Sequence, residues 1–325
     1  MHPFAYVRPV ETADAVARAA TDGRYLAGGT NLVDMMRLGI EHPAALVDVQ
    51  SLPLVGIEAH EGGLRIGARV SNAALAADAS VRERYAALSE ALLAGASPQI
   101  RNMATTAGNL LQRTRCAYFR DPSIPCNKKT PGAGCPAMDG INRAHAVLGG
   151  SDACIATHPS DMAVALVMFG ATVEVEGPNG SRTIALADLH TLPGDHPEIE
   201  TSLARDELIT HVNLPDASAL GRSTYVKVRD RAAFAFALAS AAVALRVESG
   251  KVASARVALG GVATKPWRSE AAEAELVGSA PTRGAFERAG RAAMAGAAPR
   301  THNAFKVELG ARVVVRALER AAEAA

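Results

Sequence analysis

Ala-Thr-Thr-Ala-Gly-Asn at 104–109 and Thr-His-Pro-Ser-Asp at 157–161 bracket the stretch around which this chain of 325 residues is organised. All four cysteines of the sequence lie between them: Cys116, Cys126, Cys135 and Cys154. Residues 113–150 are rich in proline, glycine, lysine and arginine and show little periodicity. Irregular segments of this length are uncommon in compact domains unless they are functional or disordered. We interpret the cysteines as the ligands or cross-links that order this irregular segment.

The spacing of the cysteines is C-x9-C-x8-C-x18-C. Four thiolates on an irregular loop suit a [4Fe–4S] cluster, which needs sulfur ligands from several directions. Zinc also accepts four sulfurs, but structural zinc sites usually pair their ligands as C-x2–4-C, and the sequence has no such pair. Unrelated buried thiols or disulfides are the third possibility. The spacing favours the cluster and leaves the other two open.

Composition narrows the function classes. Basic and acidic residues nearly cancel, at 34 and 33, whereas nucleic-acid-binding domains usually carry a clustered basic excess. No apolar run reaches the ~20 residues that cross a bilayer. The first residues lack a basic region followed by an apolar one, so we expect no secretion signal and folding in a reducing cytoplasm. Cysteines there serve more often as ligands than as disulfides.

Length and hydrophobic pattern predict two or three domains. The first fifty residues read as a β-α-β unit, and 215–221 read as a linker. The pattern predicts one helix over 81–93, and 99–103 is expected to lead into the sheet that presents a turn at 104–109. After the linker, a strand, a hairpin and three helices predict one antiparallel sheet with a helical layer.

The segment Leu-Ala-Gly-Gly-Thr-Asn-Leu at 26–32 lies between a predicted strand and a predicted helix. Its backbone N–H groups and the helix N-terminus would suit a pyrophosphate. A plain tight turn that needs the positive φ of glycine is the simpler interpretation of a lone Gly-Gly. The segment is not G-x-G-x-x-G, so a doubly wound dinucleotide fold is not predicted.

Other candidate residues are weaker when taken alone. Asp161 would accept from a ribose hydroxyl or cap the helix predicted from Met162, and the local sequence favours the cap. Lys227, near the end of a strand, reads as a solvated lysine. The nine histidines show no metal-ligand spacing, and there is no G-x-S-x-G motif of a hydrolase.

Taken in order, these segments resemble the flavin-binding subunit of the xanthine dehydrogenase, or molybdenum hydroxylase, family. The resemblance rests on 27–32, 104–109 and the Asp161 element, and on Tyr-Val-Lys-Val-Arg at 225–229 with Ala-Leu-Gly-Gly-Val at 258–262. It covers essentially 1–325.

The cysteine-rich insertion resembles the iron–sulfur-containing variant found in bacterial periplasmic aldehyde oxidoreductases. Residues 110–116 and 153–162 carry this likeness. A comparable cluster insertion occurs in 4-hydroxybenzoyl-CoA reductase, which is the alternative within the family.

The family implies an α+β fold. A two-lobed FAD-binding domain of the p-cresol methylhydroxylase/vanillyl-alcohol oxidase (PCMH/VAO) type would carry the [4Fe–4S] insertion. An α+β domain like the C-terminal domain of the CO dehydrogenase flavoprotein would follow. We place the first lobe at 1–54, the second lobe at 55–217 with the insertion at 113–154, and the C-terminal domain at 218–325.

The resemblance also implies site residues, and none of them is catalytic. The FAD contacts would be Leu26, Ala27, Gly28, Gly29, Thr30, Asn31, Leu32, Thr105, Gly108, Asn109, Asp161, Ile209 and Lys227. In this assignment 26–32 hold the pyrophosphate, Asp161 binds a ribose or ribityl hydroxyl, and Ile209 packs near the adenine. The cluster ligands would be Cys116, Cys126, Cys135 and Cys154.

The implied function is electron transfer in a heterotrimeric molybdenum-dependent aldehyde oxidoreductase. A large subunit with the molybdenum cofactor and a small subunit with [2Fe–2S] clusters would supply electrons to FAD, which passes them to an external acceptor. Export would require a partner that bears a twin-arginine signal; otherwise the complex is cytoplasmic. The alternative from another class is a zinc-stapled binding module with no redox role.

Overall fold

The first sheet contains three parallel strands. In the computed structural model, which describes residues 1–20 and 22–323, these are β1 (Ala5–Val7), β2 (Gly23–Leu26) and β3 (Ala45–Asp48), in the order β1-β3-β2. Helices α1 (Thr12–Ala19) and α2 (Leu32–Arg37) connect them. Parallel neighbours need such crossovers. The predicted β-α-β unit is confirmed.

The second sheet is antiparallel, with strand order β4-β5-β8-β6-β7. Its strands are β4 (Ile57–His60), β5 (Gly63–Gly67), β6 (Thr172–Gly177), β7 (Gly180–Ala185) and β8 (Leu208–Leu214). The helices inserted in this part of the chain are α3 (Asn72–Ala77), α4 (Ala79–Arg84), α5 (Ala86–Ala94), α6 (Pro98–Met103), α7 (Thr106–Leu110), α8 (Ala117–Arg120), α9 (Asp161–Phe169) and α10 (Leu186–Leu189). Every residue of α9 is buried, which makes this helix the centre of the first hydrophobic core.

Three predictions in this region were wrong. The helix expected over 81–93 is broken at Tyr85, whose fully buried side chain donates to the Pro215 carbonyl at 2.8 Å and packs on Phe169. Residues 99–103 form α6 rather than a lead into a sheet, because Ser97 caps it and Pro98 occupies its first turn. The expected turn at 104–109 is largely helix α7.

The third sheet is antiparallel, in the order β12-β11-β10-β9. Its strands are β9 (Arg222–Val228), β10 (Ala239–Glu248), β11 (Lys251–Gly260) and β12 (Trp267–Arg268), and the helices after it are α11 (Glu270–Leu276), α12 (Arg283–Ala293) and α13 (Phe305–Glu323). Together they enclose a second hydrophobic core. The predicted antiparallel sheet with three helices is confirmed, while the domain limits at 54 and 217 stay predictions.

Between α8 and α9, residues 121–160 contain no helix or strand. We call residues 113–154 the cysteine loop. Its own apolar cluster is small: Phe119 and Cys126 pack with Met35 of α2. Among the described residues, no helix is both long enough and apolar enough to cross a membrane.

Candidate functional site

A cleft of about 670 Å³ opens where the three sheet regions meet. This volume lies within the ~300–1,000 Å³ typical of small-molecule sites. The residues that line it include Thr30, Asn31, Asn72, Gly108, Asn109, Gln112, Arg115, Asp161, Lys227, Phe234 and Phe236. Six of the predicted FAD contacts are therefore brought together, although they come from widely separated parts of the chain.

The Gly-Gly turn packs against the end of α6. A Cβ at Gly28 would lie 1.8 Å from the Met103 carbonyl oxygen, and Gly29 has a φ of +70°. Both glycines are thus required by the backbone itself. Their packing brings Thr30 and Asn31 to the wall of the cleft.

Two polar atoms in the cleft wall are buried without a hydrogen-bond partner. They are Nδ2 of Asn31 and Oδ1 of Asn72. The Asn31 side chain is fixed because its Oδ1 accepts from the Arg113 backbone N–H at 3.0 Å. Buried polar groups are rarely left unpaired. This donor and this acceptor therefore mark the cleft as a place for a polar ligand.

Asn109, on α7, is held with its amide nitrogen free. Its Oδ1 accepts from Gln112 Nε2 at 2.8 Å and from Ser160 Oγ at 2.6 Å. Thr105 caps the same helix by accepting from the Gly108 N–H. Thr105 is buried and lies outside the cleft lining, so its side chain acts through the helix that carries Asn109.

Asp161 is a largely buried carboxylate in the wall of the cleft. It accepts from Lys227 Nζ at 2.7 Å and from the Tyr225 hydroxyl at 2.5 Å. Burial, and then the Asp161 charge, raise the pKa of Tyr225 well above its ordinary value, so this hydroxyl remains a donor. The Lys227 side chain is only 4% exposed.

The local sequence had favoured Asp161 as a helix cap and Lys227 as a solvated lysine, and both interpretations were wrong. Ser160, not Asp161, caps α9 by accepting from the Ala163 N–H at 3.0 Å. Lys227 is not solvated, since it donates to Asp161 and to the Ala94 carbonyl.

Other predicted contacts lie away from the cleft. Ile209, on β8, is 1% exposed and pairs with Val175 in the second sheet. Neither it nor Leu26, Ala27, Gly28, Gly29 or Leu32 lines the cleft.

Sequence reasoning missed Asn72, Arg115 and the segment 230–236. Arg115 lies over the ring of Phe236, with its guanidinium carbon 5.3 Å from the ring centre. Burial, followed by the charge of Arg120, lowers the pKa of Arg115 to about 10. The position of Arg115 directly before Cys116 could have indicated from the sequence that it lies near the site. Asn72 opens an ordinary helix and gives no signal in sequence.

All four cysteines are free thiols in the structure. Burial raises the pKa of Cys116 to about 12, and the neighbouring Cys126 and Cys154 raise it further. Burial likewise raises the pKa values of Cys135 and Cys154, with a contribution from Cys126 in each. Cys126 thus lies within electrostatic reach of the other three, and the disulfide alternative is wrong.

Backbone N–H groups point at three of these sulfurs. Those of Phe119 and Tyr118 lower the pKa of Cys116, against the burial that raises it. The amides of Ala137, Ile155 and Met138 act in the same way on Cys135. The Ala156 N–H donates to Cys154 Sγ at 3.4 Å. Such donors stabilise thiolates rather than thiols.

One histidine side chain also reaches the cysteines. Nε2 of His145 lies 3.1 Å from Cys116 Sγ. Burial, followed by the charge of Lys306, lowers the pKa of His145 to about 4. The ring is therefore neutral at physiological pH.

Within residues 1–20 and 22–323, no group of three or more His, Cys, Asp or Glu side chains is placed to hold a metal ion. A zinc ion would hold four sulfurs ~3.8 Å apart, given Zn–S bonds of ~2.3 Å in tetrahedral geometry. The finding counts against a zinc site in the described residues. The [4Fe–4S] insertion stays a prediction.

The cysteine loop is tied to the rest of the molecule by part-buried ion pairs and by a buried lysine side chain. Lys128 donates to Glu200 at 2.9 Å, and Arg113 pairs with the same carboxylate. Lys306 of α13 donates to the carbonyls of Ala144 at 3.0 Å and Gly261 at 2.7 Å. These contacts join the loop to parts of the chain that follow it in sequence.

Comparison with known proteins identifies both parts of the chain. Residues 2–217 match the FAD binding domain in molybdopterin dehydrogenase, and residues 224–321 match the CO dehydrogenase flavoprotein C-terminal domain. The chain is 51% identical over 325 residues to the aldehyde oxidoreductase FAD-binding subunit PaoB of Escherichia coli K12, covering 99% of both chains.

More distant relatives are similar to this chain over nearly its full length. The carbon monoxide dehydrogenase medium chain of Afipia carboxidovorans is 29% identical over 326 residues, covering 98% of this chain and 96% of that one. A solved structure of Cu,Mo-CO dehydrogenase in a cyanide-inactivated form superposes with a TM-score of 0.79 at 28% identity, covering 100% of both chains.

Proposed function

This chain belongs to the family of FAD-binding medium subunits of the molybdenum hydroxylases, and from that premise we propose that it carries electrons through FAD and a [4Fe–4S] cluster in a molybdenum-dependent aldehyde oxidoreductase. The family makes it an oxidoreductase subunit. Membership therefore excludes the non-redox binding module that the cysteines alone had left open.

We propose that FAD binds in the cleft. The observation that carries this proposal is the pair of unpartnered atoms, Asn31 Nδ2 and Asn72 Oδ1, in a wall that also holds Asn109, Asp161 and Lys227. FAD presents hydroxyls, phosphate oxygens and ring amides, which supply both the acceptor and the donor that these atoms lack. The residues present therefore fit the cofactor.

Each cleft residue then has a defined task. Asp161 would bind a ribose or ribityl hydroxyl, because its oxygens are oriented by Lys227 and Tyr225. Asn109 would offer its Nδ2 group to the flavin edge or the pyrophosphate side. For the backbone of 26–32, we propose the pyrophosphate side. Ile209 gains no support from its place in the core.

We propose the [4Fe–4S] cluster on Cys116, Cys126, Cys135 and Cys154. Support comes from free thiols that influence one another electrostatically and from backbone amides directed at the sulfurs. A four-iron cluster holds its four sulfur ligands farther apart than a single ion does, so the absence of a single-ion site among the described residues is compatible with it. The small apolar core of the loop leaves a structural role for the cluster as well.

Bound FAD supplies the exchange of electrons between donors and an external acceptor. The chain itself needs no acid–base pair; its residues hold the cofactor, tune it and exclude water. We propose a large subunit with the molybdenum cofactor and a small [2Fe–2S] subunit as its partners, because the similar E. coli protein is named as an aldehyde oxidoreductase subunit.

Purification of the chain with its partner subunits tests this function. We expect flavin absorption bands with a broad iron–sulfur shoulder, and oxidation of aromatic aldehydes with one or more acceptors from a panel. A colourless protein with one zinc per chain would contradict the proposal. Reduction of a hydroxybenzoyl thioester without aldehyde oxidation would favour the reductase alternative.

A further inference from the structure

We propose that His145 tunes the reduction potential of the cluster by donating its Nε2–H to the Cys116 sulfur. This inference rests on the cluster of the proposed function. It concerns a positioning residue, because His145 would act on the iron only through a ligand sulfur.

The contact is buried and well supported. Nε2 of His145 lies 3.1 Å from Cys116 Sγ, within the range of a hydrogen bond to sulfur, and the residue is 5% exposed. The backbone of His145 is held on both sides: its N–H donates to Asn142 O at 2.9 Å, and its carbonyl accepts from Asn303 Nδ2. Asn303 is itself fully buried. The ring is therefore held in place rather than free to swing into solvent.

The direction of the hydrogen bond follows from the acceptor. A ligand thiolate has no proton to give, so the proton of the bond must be on Nε2 of the ring. The other nitrogen, Nδ1, is buried and has no partner. The ring of His145 therefore makes its one hydrogen bond through the nitrogen that meets the sulfur.

Cys116 differs from the other ligands in this respect. Backbone amides point at Cys116, Cys135 and Cys154. Within the described part of the chain, His145 is the one side-chain nitrogen that lies within hydrogen-bond distance of a cysteine sulfur. Hydrogen bonds to cluster sulfurs stabilise the more negative, reduced state and so raise the potential.

Cys116 is also the cysteine next in sequence to the cleft. Arg115, directly before Cys116, lines the cleft and stacks on Phe236.

The test is a potentiometric titration of the full complex, monitored by electron paramagnetic resonance. His145→Phe removes the donor and keeps a ring, whereas His145→Gln keeps an N–H at a similar reach. The control is His302→Phe, because the His302 ring contacts the Gly140 carbonyl of the same loop rather than a sulfur.

For His145→Phe, we expect about a tenfold lower ratio of reduced to oxidised cluster at a fixed potential. For a one-electron couple this is a midpoint ~59 mV more negative. His145→Gln should recover most of the midpoint potential that His145→Phe loses. His302→Phe should have the midpoint potential of the wild type. Equal midpoints in His145→Phe and the wild type, at equal iron content, would overturn the inference.

A second measurement does not depend on the variants. In wild-type complex labelled with ¹⁵N-histidine, we expect one histidine nitrogen to show hyperfine coupling to the reduced cluster. Absence of any such coupling would overturn the inference while leaving the cluster itself established. A wild-type chain without iron and sulfide would instead overturn the proposed cluster, so the two failures are distinguishable.

Discussion

The cysteine loop and the cleft are held together by different interactions. The loop has an apolar cluster of its own of only a few side chains, packs Val147 and Leu148 into the second core, and is held by part-buried ion pairs such as Lys128 with Glu200. The cleft stands on elements that belong to large hydrophobic cores, and α9, which begins at Asp161, is buried along its whole length. Apolar burial is the dominant stabilising term in folding. The walls of the cleft should therefore persist without a cofactor, whereas the loop should depend on one.

The two regions also differ in how their polar atoms are satisfied. Sulfurs in the loop receive backbone amides, while the cleft leaves atoms of Asn31 and Asn72 unpaired. Burial raises the pKa of these thiols and the backbone amides oppose that rise, whereas the cleft offers an unpaired donor and an unpaired acceptor to a ligand. Four changes test this contrast, and we take them from the largest expected effect to the smallest.

Cys126→Ser should have the largest effect. Cys126 is buried against Met35 and Phe119, and its loss removes both a proposed ligand and part of the loop's apolar cluster. We expect iron to fall by at least the ~10–100-fold that substitutions outside the ligand shell already cost. Cleavage of the loop by protease should increase while FAD is largely retained. Iron analysis, limited proteolysis and flavin absorption measure these three quantities.

The control for this change is Ser123→Ala, an exposed position in the same loop. Loss of FAD together with iron would contradict the proposed independence of the cleft from the loop. It would mean that the loop supports the cleft through Gln112 and Arg115.

Asp161→Asn should be next. It removes the charge that pairs with Lys227, which is buried, and an uncompensated buried charge costs ~3–5 kcal/mol. The free energy of unfolding of the FAD-free protein in urea measures this cost. Glu287→Gln is the matched control, because it breaks the exposed Arg283–Glu287 pair, worth ~0.3–0.5 kcal/mol. Equal effects of the two substitutions would show that the Asp161 pair does not stabilise the cleft.

Lys306→Met tests how the lysine that joins the loop to the third sheet makes stability depend on pH. Burial lowers the pKa of Lys306 from 10.5 to about 7. Between these values the unfolded chain binds a proton that the folded chain does not, so raising the pH favours folding. We expect wild-type stability to rise from pH 7 to about 10.5 relative to Lys306→Met, by on the order of a few kcal/mol.

Urea titrations at several pH values measure this difference. Lys251→Met, at an exposed hairpin end, is the control and should keep the pH slope of the wild type. If Lys306→Met kept that slope too, the charge of Lys306 would not be linked to folding.

Asn72→Leu should have the smallest effect. It should change the stability of the protein and its affinity for FAD in opposite directions. Removing the unpaired Oδ1 should leave the FAD-free protein as stable as before or about 1 kcal/mol more stable. FAD should bind roughly tenfold more weakly, which corresponds to ~1.4 kcal/mol. Thermal unfolding and fluorescence titration with FAD measure the two quantities.

Asn213→Leu is the matched control, because its Oδ1 is also unpaired but lies outside the cleft lining. It should leave FAD affinity unchanged. A loss of stability in Asn72→Leu without a loss of affinity would mean that Asn72 serves the fold alone.

Much of the fold followed from local sequence. Hydrophobic periodicity predicted the β-α-β unit at the start and the antiparallel sheet with three helices at the end, since each element there is long or sharply bounded. The break at Tyr85 was not predictable, because the contact that favours it, Pro215, lies 130 residues away. Helix α6 was missed although Ser97 and Pro98 gave a recognisable start signal.

The sequence by itself determined the chemistry that depends on residue type and close spacing. Four cysteines within one loop predict that the thiols act together wherever the loop lies. The pair Gly28-Gly29 predicts a turn, and Gly29 adopts the positive φ of +70° that favours glycine.

Only the tertiary structure decided the role of Asp161. Both Ser160 and Asp161 are able to cap a helix, and local sequence does not choose between them. The choice is made by Tyr225 and Lys227 on β9, which lie 64 and 66 residues away and hold the Asp161 carboxylate at the cleft. Periodicity fixes where β9 forms, but the packing of the third sheet against α9 decides which carboxylate its lysine meets. A buried charge must find a partner through such packing, and no short stretch of sequence records it.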